Sequence, residues 1–90
     1  MPRAIVDPAD LRRFANSLKH FNTELGHQLS VLQGQFGALG DTWRDQEHEK
    51  FGREFSETMQ VLARFMEASS HHVPFLLRKA ERIEEYLQQR

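Results

Sequence analysis

Two stretches of the chain carry apolar residues at helical spacing, and a short break marked by glycines divides them. In the first stretch Leu11, Leu18, Leu25, Leu32 and Leu39 recur every seven residues. Phe14 and Phe21 fill alternate positions, and Leu29 and Phe36 carry the stripe onward. This is the pattern of a helix with one buried face. Asp7 and Pro8 mark its start. Aspartate caps exposed N–H groups, and proline suits the first helical position because its missing N–H would be unpaired there. Asp10 adds negative charge where the helix dipole favours it. The pattern predicts one helix over residues 7–39, about 50 Å long at about 1.5 Å per residue.

The second stretch holds two interleaved series at the same spacing. Phe55, Leu62, Ser69, Leu76 and Ile83 form one; Met59, Met66, Val73, Ala80 and Leu87 form the other. Pro74 lies among them, and a proline inside a helix removes a hydrogen bond and kinks or breaks the rod. The apolar phase is nevertheless the same on both sides of Pro74. A new helix pointing elsewhere has no reason to keep that phase. The expectation is one long helix over residues 45–88, bent near Pro74. The alternative is a break over residues 69–73 and a short third helix from Pro74.

Between the stretches, Gly37 and Gly40 can end the first helix in the left-handed conformation common past a C-terminus. Asp45 is a cap for the second helix, with Gln46, Glu47 and Glu49 giving an acidic first turn; Thr42 is the weaker cap. A turn over residues 40–44 is short enough to make the helices antiparallel neighbours. The expected fold is all-α, an antiparallel helical hairpin forming a single domain over residues 1–90, with Leu11, Leu18, Leu25, Phe55, Leu62 and Met66 as its seam. A reversal centred near residue 42 sets the start of the first helix opposite residue 75. Phe75, Leu76, Leu77, Ala80, Ile83 and Leu87 then project beyond the hairpin on an open apolar face, which marks an interaction surface. With Val61 and Phe65, the residues Leu76, Leu77 and Ile83 are the expected contacts of a dimer forming a four-helix bundle. The leucine repeat also suggests a DNA-binding zipper. An intramolecular hairpin uses the same seam, and no basic region precedes it.

Composition narrows the picture. A chain of 90 residues holds one domain and often completes its core with a partner. The formal net charge is -1 and no long lysine or arginine block occurs, which argues against a nucleic-acid footprint. Without cysteine, neither disulfides nor thiolate chemistry contributes. No apolar run is long enough for a membrane span. The opening segment MPRAIVDPAD lacks the apolar core of a cleavable signal peptide, so the expectation is a cytosolic protein or one exported by a route that needs no such signal.

Candidate chemistry is thin. His20, Glu24 and His27 share a helical face at metal-bridging spacing, but off the leucine seam, where a solvated triplet is the plainer reading. His71 and His72 adjoin Pro74 and are expected to be exposed. Glu47 and Glu49 flank His48, yet neighbours on a helix point in different directions. Ser69 and Ser70 lack the strained turn of a nucleophile. Neither catalysis nor a cofactor or metal is expected.

The break itself carries Trp43-Arg44-Asp45, with an aromatic, Phe51, eight residues after the tryptophan. Together with the chain length and the two long helices, this resembles the WXG (Trp-x-Gly) family, the small early-secreted-antigen-like proteins exported by type VII secretion systems. The likeness spans nearly the whole chain. The family's third motif position is usually glycine; here it is Asp45, and both residue types serve at a helix N-cap. The resemblance implies a non-enzymatic hairpin that dimerises, often antiparallel, with a second copy or a sister chain. It implies synthesis in the bacterial cytoplasm, export without a cleaved signal, and recognition by a secretion ATPase. It makes Trp43, Arg44 and Asp45 the turn and secretion motif. The family's C-terminal export signal is Tyr-x-x-x-Asp/Glu; here Tyr86 is followed at that spacing by Arg90, so the tail is a weaker recognition candidate. Two other readings stay open: a cytosolic adaptor or chaperone binding an effector through its apolar faces, and a metal-binding helical bundle using His20, Glu24 and His27 or His71 and His72.

Overall fold

The computed structural model describes residues 6–89. Helix α1 spans Pro8–Leu39 and helix α2 spans Gln46–Gln88, and the two lie side by side as a hairpin. No strand occurs among the described residues. The Cα radius of gyration is 20.2 Å and the extents are 68 × 21 × 15 Å. A compact chain of this length has a radius near 12 Å. The molecule is therefore a ribbon two helices wide and one helix thick, a single layer where a stable domain ordinarily has two.

Each helix starts as local chemistry dictates. The Asp7 side chain accepts from the Ala9 N–H at 2.9 Å, and Pro8 follows at the first helical position. Asp45 is the N-cap of α2, and its carboxylate accepts from the His48 N–H at 3.0 Å. α2 runs unbroken through Pro74. The missing hydrogen bond there is offset by packing on either side, since Val73 and Ala80 are buried and Leu77 is half-buried.

α1 does not end in the left-handed conformation expected of its glycines. Gly40 has φ -63 and ψ -15, and no described residue has positive φ. Instead the helical path runs on. The N–H groups of Gly40, Asp41 and Thr42 donate to carbonyls three residues back, and Trp43 N–H donates to Leu39 at 3.0 Å. The chain reverses only over residues 43–45. This shifts the register. Asn22 meets Ser69 and Arg12 meets Glu84, so the expectation that everything after Pro74 overhangs the first helix is incorrect. Leu76 lies in a groove with Phe14, and Leu77 in one with Asn16 and Thr23; both are half-buried, as is Ile83.

The seam is thin. Ala15, Leu29, Met59, Val73 and Ala80 are the buried apolar residues, and no large side chain is fully buried. Leu11, Leu18, Leu25, Phe55, Leu62 and Met66 are all half-buried along it. Ser69, 4% exposed, is the buried polar residue, and its hydroxyl donates to Asn22 Oδ1 at 2.8 Å.

Candidate functional site: the aromatic tip and the apolar flank

Five rings gather where the hairpin turns. Phe36 from the last turns of α1 stacks on His48 at 5.0 Å with planes 10° apart, and also meets Phe51 at 5.7 Å and Phe55 at 5.1 Å. Trp43 closes the cluster from the connection, edge-on to His48 at 5.0 Å and tilted against Phe51 at 6.0 Å. Aromatic pairs of this geometry contribute about 0.5–1.5 kcal/mol each beyond the area they bury. Gly52 lets Phe36 lie across α2: a Cβ there would stand 3.2 Å from Phe36 Cζ.

The three motif residues sit together but do different things. Trp43 is half-buried against the cluster. Arg44 is exposed and its Nε donates to the Gly40 carbonyl at 3.4 Å, holding the reversal from outside. Asp45 is extended, φ -99 and ψ -176, a conformation any residue adopts. Nothing at this position requires glycine, and the carboxylate supplies a cap that glycine lacks. His48 is the tip residue that the sequence pattern hid. Flanked by Glu47 and Glu49 it looks polar, yet His48, Phe51 and Phe55 fall at i, i+3 and i+7, so the apolar face simply begins one turn earlier.

Away from the tip, one flank of the ribbon is apolar and open. Phe14, Leu18, Phe65, Phe75 and Leu76 line a shallow groove with Ser69 and His72. Phe21 meets Phe65 edge to face at 6.2 Å beside it. Phe14 is 59% exposed, and Phe21, Val61, Phe65 and Phe75 are exposed as well. A second groove mixes Asn16, Lys19, Asn22 and Thr23 of α1 with Val73, Pro74 and Leu77 of α2. Exposed rings clustered on one side are what a monomeric surface avoids.

At the open end, Arg12 Nη2 lies 2.7 Å from Glu84 Oε1 and Arg12 Nε lies 3.0 Å from Oε2, a two-point ion pair. The hydrogen bond from Arg12, with its charge, holds the Glu84 carboxyl below its ordinary value against partial desolvation. Tyr86 is 63% exposed on the last turns of α2, and Arg90 lies outside the described residues. His20, Glu24, His27, His71 and His72 are all exposed. Among the described residues no three His, Cys, Asp or Glu side chains come together to hold a metal ion. No helix among them is long and apolar enough to cross a membrane.

A family model described as "Proteins of 100 residues with WXG" matches residues 4–89. The chain belongs to the WXG100 family. A crystal structure of a mutant of the secreted protein EsxB from Bacillus anthracis str. Sterne superposes with a TM-score of 0.77 at 24% identity, covering 93% of this chain and 97% of that one. At that identity the likeness shows the fold: two long helices in an extended hairpin. No curated protein matches the chain. The family's description names a Trp-x-Gly motif, and this chain carries Trp43-Arg44-Asp45 between its two helices.

Proposed function

We propose that this WXG100 protein is a non-enzymatic substrate or partner of a type VII secretion system, exported as a folded helical dimer. The observation that carries the dimer is the ribbon itself: one layer, 15 Å thick, with Phe14, Phe21, Phe65 and Phe75 uncovered on one flank. A second hairpin laid on that flank supplies the missing layer and yields a four-helix bundle. Charge favours an antiparallel pair of identical chains. Residues 41–57 at the tip hold six acidic and three basic residues, whereas residues 6–20 and 76–89 at the open end hold five acidic and six basic ones. A parallel dimer would bring two acidic tips together; an antiparallel one sets them a molecule's length apart, far beyond the roughly 8 Å over which exposed charges interact at physiological salt. In that arrangement the Trp43 tip of one chain lies beside the Tyr86 tail of the other, a composite surface for the secretion ATPase.

Sedimentation of the purified chain at micromolar concentration tests the pairing; a monomer there is the result against it. Export is tested by finding the untagged chain in culture supernatant and losing it when the secretion ATPase is deleted. A chain that stays in the cells with an effector bound to its flank favours the adaptor reading instead. Trp43→Ala, followed for export and for thermal stability together, separates recognition from packing. Trp43 packs on His48 and Phe51, so some stability is lost with it; export lost while the variant is still folded favours recognition, and export lost only in step with unfolding does not.

A further inference from the structure

His48 stands outside the Trp43-Arg44-Asp45 motif, yet it joins all three parts of the tip. Phe36 belongs to α1, Trp43 to the connection and His48 to α2. The imidazole lies flat on Phe36, planes 10° apart, and meets Trp43 at 73°, with ring centres 5.0 Å away in both cases. Nε2 is buried without a hydrogen-bond partner, and this edge of the ring faces Gly40, where an added Cβ would stand 3.8 Å from both Cε1 and Nε2. The main chain beneath it is fixed as well, since the His48 N–H donates to the Asp45 carboxylate at 3.0 Å.

We propose that His48 is the positioning residue for Trp43. α1 places Phe36, Phe36 orients the imidazole, and the imidazole with Phe51 orients the indole at the end of the hairpin. The flat face does this, not the titratable nitrogens. The biological consequence rests on the reading of Trp43 as a recognition residue; the placement is a property of the chain alone.

Trp43 is the one tryptophan, so its fluorescence reads this site without interference. His48→Ala should red-shift the emission and increase acrylamide quenching, with the population of detached indole rising roughly three- to tenfold, the change that loss of one aromatic pair produces. Circular dichroism should show the helices kept. His48→Phe, flat and in need of no hydrogen-bond partner, should restore emission and quenching to those of the native chain. If His48→Ala loses helicity, Phe36→Leu takes its place and should give the same red shift, because it removes the ring under the imidazole. Native emission and quenching in His48→Ala, or in Phe36→Leu where that stands in, would overturn the proposal. So would a His48→Phe chain whose indole is as detached as that of the alanine variant. A native chain that is not exported would remove the recognition role of Trp43 and leave the fluorescence result standing.

Discussion

The two ends of the hairpin are held by different chemistry. The tip is joined by contacts within the chain: five rings from both helices and the connection pack on one another, although Phe51 stays 42% exposed. The open end is joined by the exposed Arg12–Glu84 ion pair and a thin seam, while Phe14 and Phe75 beside it face outward. Exposed ion pairs contribute little. The difference suggests a division of labour. One end is joined by packed rings, and the other leaves an apolar surface open.

The sharpest way to break this comparison is to truncate one ring at each end. Phe36→Ala should destabilise the chain by about 2–4 kcal/mol, as large core truncations do, with the loss independent of protein concentration. Phe14→Ala should act mainly on assembly, lowering the urea midpoint more at low protein concentration than at high. Equal, concentration-independent losses from both would dissolve the distinction.

Pro74→Ala should come next in size. The position is exposed in the interior of α2, and restoring the N–H there should stabilise the helix by about 2 kcal/mol, read as a raised midpoint of thermal unfolding. At the tip, Asp45→Ala removes the cap of α2 and should cost about 1 kcal/mol, whereas Asp45→Gly, the residue the family usually has, should cost only a few tenths. Chemical denaturation of the two variants side by side checks this.

The smallest effect belongs to the ion pair. The Glu84 carboxyl is held below its ordinary value, so its contribution is fully present above the unfolded carboxylate range, about pH 4.3, and is lost as pH falls through the lower folded value. Amide protection at the open end, measured against the intrinsic exchange rate at each pH, should fall through that acid window. Glu84→Gln should remove the pH dependence while leaving the tip unaffected.

Much of the hairpin was legible in the sequence because it is written in strong local terms. The seven-residue leucine and phenylalanine series set the helical phase, Asp7-Pro8 and Asp45 set the starts, and the shared phase across Pro74 argued for one continuous α2. The register was not legible. It depends on whether residues 40–43 leave the helix or prolong it, and no side chain there dictates the choice; the backbone bonds back to Gly37, Ala38 and Leu39 do. A shift of the reversal by a few residues was enough to turn Leu76 and Leu77 from an imagined overhang into partners of α1. The tip was half legible. Trp43 announces itself, but His48 looks polar between two glutamates, and only its spacing to Phe51 and Phe55 gives it away.

The late reversal has a consequence for how the chain folds. Its connection closes few residues, and the entropy lost on loop closure grows only slowly with loop length. Once the rings of the tip meet, each further pair along the seam closes a short additional segment. Asn22 and Ser69 join residues 47 apart in sequence, and Arg12 and Glu84 join residues 72 apart. The hairpin can therefore assemble like a zip, with the aromatic tip as its nucleus and the Arg12–Glu84 pair as the last tooth.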